Sequence, residues 1–350
     1  MMTTDFLIPY SATVLDALKK IDEHSSFGTR VLFVESKDGK VCGSVSDGDC
    51  RRGLINGKKL TSSITEIMNK NFTSLLKGFY DVETIKKIRK FGIKYVPELN
   101  EDGTLYEIRD FTNNKSYVPV DAVLMAGGKG ERLRPLTLET PKPLLKVADK
   151  PIIDYNIDNL INSGINHINV TVNYLAEQIE EHFKNPKNGI QVRIVREPKF
   201  LGTIGSIKFV KKWYNDTILL MNSDLFTNID IESFYLHFIK HNADMSVAGV
   251  PYNVNIPYGI FELENTREIK GITEKPNYHY YANAGIYLIK RSLLNLIPDD
   301  EFFDTTDFMG KLIKNNKKVI RFPIAGYWID IGKPEDFKNV QEFARNLEKK

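Results

Sequence analysis

The sequence predicts a two-domain chain of the α/β class, in which a mainly parallel sheet domain follows a smaller α+β domain. Its 350 residues are enough for two hydrophobic cores. After residue 120, apolar strand-like runs alternate with helical patterns, which is typical of a parallel sheet with helices on both faces. Before residue 120, a weak internal repeat indicates two copies of one small unit.

The repeated unit is a helix-like segment followed by a strand, an Asp-Gly turn and a second strand. Its first copy is ALKKIDEHSSFGTRVLFVESKDGKVCGSVSDGDCRR, with the turn at Asp38 and Gly39. Its second copy is TIKKIRKFGIKYVPELNEDGTLYEIRDF, with the turn at Asp102 and Gly103. Because Asp-Gly between apolar runs is a strong hairpin signal, we expect two α+β units, about 1–62 and 63–115, that pack on each other.

The domain boundary is predicted at FTNNKSYVPVD, residues 111–121, where a polar run with Pro119 precedes the apolar run VDAVLMA. The second domain then covers residues 120–350. Its strands are predicted at VDAVLMA, INHINVTVN, IQVRIVRE and TILLMNSD, and its helices at PIIDYNIDNLINSG, YLAEQIEEHFK and TIGSIKFVKKWY. In the first of these helices Ile153 and Ile157 share a face with Leu160 and Ile161, and Gly164 supplies the stop.

Composition excludes several classes of protein. The chain is 42% hydrophobic and 27% charged, and no stretch approaches the roughly 18 consecutive apolar residues of a membrane span. Its first residues lack a secretory signal pattern, so we expect a cytoplasmic protein without a membrane partner. Cys42 and Cys50 are expected to be free thiols. The net charge of +3 comes without a basic stripe, so we expect no nucleic-acid partner.

The segment LMAGGKGERLRPLT, residues 124–137, is the strongest candidate for an anion-binding loop. It is not a P-loop, because Lys129 is followed by Gly130 rather than by Ser or Thr, and it matches the dinucleotide fingerprint only weakly. Backbone N–H groups can approach a phosphate closely at Gly127, Gly128 and Gly130. Taken alone, the loop is equally consistent with a solvated glycine turn.

The segments that follow resolve this ambiguity through a family resemblance. AGGKGERLRPLT with PKPLL resembles the signature of the sugar-nucleotide pyrophosphorylases, which join a nucleoside triphosphate to a sugar 1-phosphate and release pyrophosphate. Matching segments follow in the family's order: EPKFLGT, MNSDLFT, ITEKP, NAGIYL and WIDIGKPEDF. The resemblance covers residues 121 to about 343 and implies a Rossmann-like nucleotidyltransferase domain.

The resemblance implies a catalytic group of four residues. Arg132 would hold the triphosphate and the departing pyrophosphate, and Lys142 would place a positive charge between the sugar phosphate and the α-phosphate. Asp224 and Asp330 would hold Mg²⁺, a hard ion that prefers oxygen ligands. Without the resemblance, each aspartate would be interpreted as a turn or helix-capping residue.

The resemblance also implies residues for the base and the sugar. The nucleotide-binding set is Leu124, Ala126, Gly127, Gly128, Gly130, Arg132, Glu197, Gly202 and Thr203. The sugar-binding set is Gly259, Glu274, Lys275 and Asn283. Glu197 favours GTP, because a carboxylate accepts from both N1–H and the N2 amino group of guanine. The alternative is that Glu197 only caps the chain or pairs with Arg196 or Lys199.

The N-terminal repeat resembles a pair of CBS domains, a family that often binds adenine nucleotides between its two units. In the segment GSVSDGDCRRGL, Ser46 and Asp49 match the hydroxyl and aspartate that hold phosphate and ribose in that family. The second copy departs from the pattern, because no Ser or Thr lies three residues before Asp110. Two roles therefore remain as alternatives. The pair could bind an adenine or guanine nucleotide that regulates the enzyme, or it could be a dimerisation platform with an empty cleft.

Together these observations predict a Mg²⁺-dependent transfer of GMP from GTP to a hexose or hexosamine 1-phosphate, giving a GDP-glucosamine or GDP-mannose type of product. A fused CBS pair also resembles enzymes of nonulosonic acid pathways, and we expect a homo-oligomer that serves surface-glycan or nonulosonic acid synthesis. The alternatives are a UDP-, dTDP- or CDP-sugar pyrophosphorylase and a non-catalytic sensor of sugar nucleotides.

Overall fold

The computed structural model describes residues 3–23, 30–79, 81–112 and 116–347. The chain divides into two compact units, Met1–Pro119 and Val120–Lys350. Residues 113–115 of the predicted boundary segment and residues 24–29 of the first repeat lie outside the described residues. Cys42 and Cys50 are free thiols, as predicted.

The first unit contains two small three-stranded sheets, β1-β2-β3 and β4-β5-β6, each with one parallel and one antiparallel pair. Its strands are β1 (Leu7–Pro9), β2 (Val31–Glu35), β3 (Val41–Ser46), β4 (Leu75–Leu76), β5 (Tyr95–Leu99) and β6 (Leu105–Asp110), and its helices are α1 (Val14–Glu23), α2 (Asp47–Ile55) and α3 (Val82–Phe91). The order strand, helix, strand, strand therefore occurs twice. A further helix, α2, follows only the first copy among the described residues.

The predicted Asp-Gly turns are present in both hairpins. Gly39 and Gly103 have φ angles of 73° and 85°, a region that glycine enters without steric cost. The two hairpins meet where the Val41 N–H donates to the Gly103 carbonyl at 3.0 Å. Apolar side chains from both halves also form one cluster, so the two halves pack against each other.

The second unit is built on a seven-stranded sheet of order β11-β10-β7-β12-β17-β14-β18. Its strands are β7 (Asp121–Ala126), β8 (Lys146–Val147), β9 (Lys150–Pro151), β10 (His167–Val172), β11 (Arg193–Arg196), β12 (Thr217–Asn222), β13 (Leu225–Thr227), β14 (Met245–Asn255), β15 (Ile260–Leu263), β16 (Ile269–Thr273), β17 (Asn277–Lys290), β18 (Val319–Pro323) and β19 (Trp328–Asp330). Four of the six strand pairs in this sheet are parallel, and β17 pairs antiparallel with both of its neighbours. The predicted mainly parallel sheet is confirmed.

The helices of the second unit are α4 (Ile152–Asn162), α5 (Ala176–His182), α6 (Ile231–Lys240), α7 (Thr305–Lys314) and α8 (Pro334–Leu347). In α4 the predicted apolar face is buried, and Gly164 ends the segment with a φ of 75°. The predicted helix at TIGSIKFVKKWY is wrong, because only the 3₁₀ segment Gly205–Phe209 forms. Ile204, Ile207 and Val210 recur every third residue and are buried, which matches the repeat of three residues per turn in a 3₁₀ helix.

The sheet brings three loops together at one edge. Strands β10, β7 and β12 run parallel, so the residues that follow Val172, Ala126 and Asn222 lie side by side. These loops contain the glycine segment and the predicted Asp224. Among the described residues, no helix has both the length and the apolar composition needed to span a membrane.

Candidate active site

A cavity of about 630 Å³ opens at the carboxyl ends of β7, β10 and β12. Ligands of open α/β sheets bind at this edge. Ten of the predicted site residues line the cavity: Ala126, Gly127, Gly128, Gly130, Arg132, Lys142, Glu197, Gly202, Thr203 and Asp224. Leu124 does not line it and is fully buried. The next residue, Met125, lines the cavity in its place.

The glycine segment requires its glycines for different reasons. A Cβ at Gly127 would lie 2.0 Å from Oε1 of Glu197, so the backbone and this carboxylate are in close contact. Gly130 has a φ of 61° and packs between Thr137 and Lys142. Gly128 has no atom within 4 Å of the position of a Cβ and is exposed, so its backbone is open to an incoming group.

Glu197 is buried at the cavity wall, with only 4% of its surface exposed. Its Oε2 accepts a hydrogen bond from the Leu201 N–H at 3.0 Å. Burial raises the pKa of its carboxyl to about 7, although the bond from Leu201 lowers it. Arg196 and Lys199 form ion pairs with other carboxylates rather than with Glu197. The bond from the Leu201 N–H is the capping contact of the alternative interpretation.

Lys142 and Asp224 form an ion pair at the cavity floor. Nζ of Lys142 contacts Oδ2 of Asp224, and the lysine side chain is only 9% exposed. Strands β13 and β19 pair antiparallel with Leu225 opposite Asp330, which brings Asp330 near Asp224, although Asp330 itself does not line the cavity. Burial and then the charge of Asp224 raise the pKa of Asp330, while Lys142 and Arg132 lower it.

Arg132 also lies near Asp330. Its Nη1 would be 3.4 Å from a Cβ at Gly332, and Oδ2 of Asp330 and Oδ2 of Asp336 would each be 3.6 Å from the same point. Because Gly332 has no side chain, the guanidinium of Arg132 can approach the carboxylates of Asp330 and Asp336. Because Arg132 is exposed, its N–H donors can reach an anion in the cavity.

Buried polar contacts fix the turn that carries Asp224. Ser223 donates its N–H and its hydroxyl to the Met125 carbonyl, at 3.2 and 2.6 Å. Asn156 of α4 donates to the carbonyls of Ser223 and Leu225, at 3.4 and 2.9 Å. The Asp224 side chain is therefore held by a turn whose own backbone is anchored on both sides.

Asp224 and Asp330 fit a divalent cation. Oδ1 of Asp224 is buried and has no hydrogen-bond partner among the described residues. A hard cation would satisfy this oxygen and neutralise the repulsion between the two carboxylates. Across the part of the chain that the structure describes, no group of three or more His, Cys, Asp or Glu side chains is arranged to hold a metal. Two carboxylates leave most of a coordination shell to water and phosphate, which suits Mg²⁺.

The predicted sugar-binding residues do not line the cavity. Gly259, Glu274 and Lys275 flank the exposed β15–β16 hairpin, where a Cβ at Gly259 would lie 2.8 Å from Oε2 of Glu274. Asn283 lies closer to the cavity. It accepts from the Gly285 N–H at 3.0 Å, and a Cβ at Gly285 would lie 2.6 Å from Nδ2 of the cavity residue Asn222.

Several cavity residues were missed by the sequence analysis. They are Met125, Lys129, Glu131, Pro143, Thr171, Asn173, Phe200, Asn222 and Ser223. Lys129 carried a usable signal, because it is a cation between two glycines of the loop. Asn173 follows β10 and Asn222 ends β12, and their position at the carboxyl edge of a parallel sheet was a second usable signal. Phe200 had none.

The first unit has its own cleft, of about 880 Å³, which is lined from both halves. Ser46 and Asp49 line it together and form a capping box at the start of α2. The Ser46 hydroxyl donates to Asp49 at 2.6 Å, and Arg52 donates to the other carboxylate oxygen at 2.5 Å. Three further cations, Arg30, Lys87 and Lys94, line the same cleft.

Two family models match different parts of the chain. Residues 121–346 match the family model described as nucleotidyl transferase, and residues 1–56 match the CBS domain model. The mannose-1-phosphate guanylyltransferase of Mycobacterium tuberculosis is 31% identical over 224 residues, which are 62% of each chain. The bifunctional protein GlmU of Methanocaldococcus jannaschii is 31% identical over 232 residues, which are 64% of this chain and 54% of that protein.

Solved structures are similar over the same region. HddC from Yersinia pseudotuberculosis is 26% identical, with a TM-score of 0.50, and the match covers 64% of this chain and 99% of that one. The same protein complexed with GMP-PN is 25% identical, also with a TM-score of 0.50. This chain spans about three fifths of the length of the curated relatives it matches. The family model covers well over half of the chain, which therefore belongs to the nucleotidyl transferase family and carries a CBS domain at its N-terminal end.

Proposed function

We propose that the chain is a sugar-1-phosphate nucleotidyltransferase, which transfers GMP from GTP to a hexose or hexosamine 1-phosphate. The observation that carries this proposal is the ion pair of Lys142 and Asp224 beside Asp330, in a cavity walled by the glycine loop. Cations and paired carboxylates around an exposed glycine backbone suit the transfer of a phosphoryl-type group.

The reaction needs charge neutralisation and alignment rather than a covalent enzyme intermediate. An oxygen of the sugar phosphate attacks the α-phosphorus, the bond from that phosphorus to the bridging oxygen breaks, and pyrophosphate leaves. Arg132 and the open backbone at Gly128 would bind the departing phosphates. Lys142 would stabilise the charge that develops at the α-phosphate between attacking and leaving groups.

Asp224 and Asp330 would hold Mg²⁺, which supplies Lewis-acid neutralisation of the phosphate oxygens when bound. The turn at Ser223, which Asn156 of α4 anchors, keeps the Asp224 carboxylate oriented toward the cavity. Asn283, with Gly259, Glu274 and Lys275, is proposed for the sugar side. The cytoplasmic location, the homo-oligomer and the place in glycan or nonulosonic acid synthesis remain predictions.

Guanine is favoured as the base because of where Glu197 lies. Its carboxylate is buried at the wall of the cavity, contacts the backbone of Gly127 and forms no ion pair with Arg196 or Lys199. A carboxylate in this position can accept two hydrogen bonds from guanine. The guanylyltransferase relatives and the HddC complex with GMP-PN support the same choice.

Pyrophosphate release tests the proposal. The wild-type chain is incubated with Mg²⁺ and GTP, UTP, dTTP, CTP or ATP, each against mannose, glucosamine and N-acetylglucosamine 1-phosphates. We expect release with GTP and at least one of these sugars. Pyrophosphate release with UTP, dTTP or CTP but not with GTP would contradict the guanylyl assignment and identify a different base. No release with any pair, together with tight binding of a finished nucleotide sugar, would favour the alternative of a sensor.

Replacing Glu197 by glutamine is expected to lower the preference for GTP over UTP by about 10- to 100-fold in kcat/KM at pH 8. The amide cannot accept from both guanine donors without presenting its own N–H₂ to one of them. In the wild type, the KM for GTP is expected to rise as pH falls below about 7, because the carboxyl takes up a proton. Steady-state kinetics from pH 6 to 8 measure both effects.

The same variant has an independent readout in stability. A raised carboxyl pKa contributes stability that is complete below the ordinary value of 4.5 and is lost as pH rises through about 7. Glu197→Gln should therefore be more stable than the wild type at pH 8 and indistinguishable from it near pH 4.5. The control is Glu177→Gln, at an exposed partner of Arg196, which should change neither selectivity nor this pH profile. An unchanged GTP preference in Glu197→Gln would contradict the role of Glu197.

We further propose that the cleft of the first unit binds a phosphorylated adenine or guanine nucleotide. Four cations and one carboxylate line the cleft, together with aromatic side chains from both halves, which suits a ligand with phosphates and a base. Ser46 and Asp49 would contact its ribose and phosphate. The competing role is that of a scaffold, in which the capping box of Ser46 and Asp49 only stabilises α2.

AMP or ADP is expected to raise the unfolding temperature of the full chain, because a ligand that binds only the folded state stabilises it. Lys87→Ala should reduce this rise, since Lys87 lines the cleft. Lys86→Ala is the matched control, because the neighbouring lysine pairs with Glu83 instead. Thermal shift assays over a nucleotide series measure the effect. If no nucleotide shifts the wild type, or if both lysine variants respond equally, the scaffold role is favoured.

A further inference from the structure

The loop that carries Gly202 and Thr203 is fixed by a second loop, about 100 residues later in the chain. The Phe303 N–H donates to the Leu201 carbonyl at 3.0 Å, and the Ile204 N–H donates to the Phe303 carbonyl at 3.2 Å. A Cβ at Gly202 would lie 2.6 Å from the Phe303 carbonyl oxygen. The nucleotide-side loop therefore rests directly on the backbone of residues 303–305.

Asp304 is the centre of this contact. Its Oδ1 accepts from the Thr203 N–H at 2.9 Å and from the Thr203 hydroxyl at 3.0 Å. The Thr305 N–H donates to Oγ1 of Thr203 at 2.8 Å. Both donors of Thr203 are therefore used by the second loop, and Thr203 serves to anchor the cavity wall rather than to bind a ligand through its hydroxyl.

Asp304 is also the N-cap residue of α7, yet its side chain makes no capping hydrogen bond. An aspartate at this position ordinarily accepts from a backbone N–H of the first turn, which stabilises the helix. Asp230, the N-cap of α6, does so and accepts from the Ser233 N–H at 2.9 Å. At Asp304 the carboxylate instead contacts the wall of the cavity.

We propose that Asp304 is a positioning residue for the nucleoside triphosphate, acting through Thr203 on the Gly202 segment of the cavity wall. This inference rests on the proposed function. Without the two hydrogen bonds to Oδ1, the Gly202–Thr203 backbone would be free to move relative to the glycine loop across the cavity. The nucleotide would then have to order that segment when it binds, which weakens binding more than it slows the chemical step.

Steady-state kinetics of pyrophosphate release test the inference in the full chain. Asp304→Ala is expected to raise the KM for GTP about tenfold, with kcat changed by less than about threefold. The KM for the sugar 1-phosphate should stay at the wild-type value. Asp304→Asn keeps an oxygen acceptor for Thr203, so its KM for GTP should stay within about threefold of the wild type.

Asp230→Ala is the matched control, because it removes the same residue type from the N-cap of another ten-residue helix. It should lower the unfolding temperature by roughly 2–4 °C without changing either KM. Asp304→Ala should lower the unfolding temperature by a similar amount, since its two hydrogen bonds to Thr203 are lost. The KM for GTP therefore distinguishes the two variants, because only Asp304→Ala is expected to raise it.

The outcomes distinguish the inference from the function on which it rests. If the wild type turns over GTP but Asp304→Ala leaves its KM unchanged, Asp304 has no positioning role and the proposed function stands. Equal rises in the KM of both substrates, or a loss of stability as large as that of Asp230→Ala with no change in KM, would also overturn it. A wild type that neither binds nor consumes any triphosphate contradicts the function and the inference together.

Discussion

Replacing Asp224 by asparagine is expected to reduce pyrophosphate release by about 10³-fold or more, because the site would lose its proposed charged metal ligand. An amide keeps the size and one oxygen of the side chain but not its charge. Added Mg²⁺ should raise the unfolding temperature of the wild type and leave that of the variant nearly unchanged. Kinetics and thermal unfolding at increasing Mg²⁺ concentrations measure the two effects.

The fold should survive this substitution. Asp224 is paired with Lys142, and removing its charge also relieves the repulsion that raises the pKa of Asp330. Asp216→Asn is a suitable control, because Asp216 is 91% exposed and pairs with Arg291 away from the cavity. Full activity in Asp224→Asn would exclude the metal role of this residue, and a similar loss in Asp216→Asn would indicate a general effect on the protein.

The local parts of the site were predictable from the sequence. An apolar run that ends in two glycines indicates a strand followed by a loop, and β7 indeed ends at Ala126. The rule that ligands bind at the carboxyl ends of parallel strands then placed this loop and Asp224 at one edge. The resemblance added Lys142 and Asp330, whose roles no local pattern indicates.

The non-local parts could not be derived in this way. Leu225 lies opposite Asp330 because β13 pairs with β19, and no periodicity in either short strand specifies that register. Asp304 has the sequence context of an ordinary helix N-cap, since an aspartate precedes Thr305 and the apolar face of α7. Its actual partner, Thr203, is set by how two loops pack, which depends on the whole sheet.

The helix predicted at residues 203–214 failed for a related reason. Its apolar residues recur every third position, which fits both helix types over so short a segment. Close contact with the second loop decided the outcome, because a Cβ at Gly205 would lie 3.0 Å from the Glu301 carbonyl oxygen. The chain at this point is shaped by the wall of the cavity rather than by its own helical propensity.

Replacing Lys142 is expected to have the second large effect on activity. Lys142→Met keeps the length of the side chain but removes its charge, and we expect kcat to fall by about 10²- to 10³-fold. Removing one partner of a largely buried ion pair also leaves Asp224 facing Asp330 without its nearest cation, at a cost on the order of 2 kcal/mol in the free energy of unfolding.

Mg²⁺ should restore part of this lost stability, because a divalent cation between the carboxylates replaces the missing lysine charge. The difference in unfolding temperature between Lys142→Met and the wild type is therefore expected to shrink as Mg²⁺ is added, while kcat stays low. Lys146→Met, an exposed lysine four residues later, is the matched control and should change neither quantity. A deficit in stability that is independent of Mg²⁺ would mean that Asp224 and Asp330 do not share a metal, because their repulsion would then persist at every concentration.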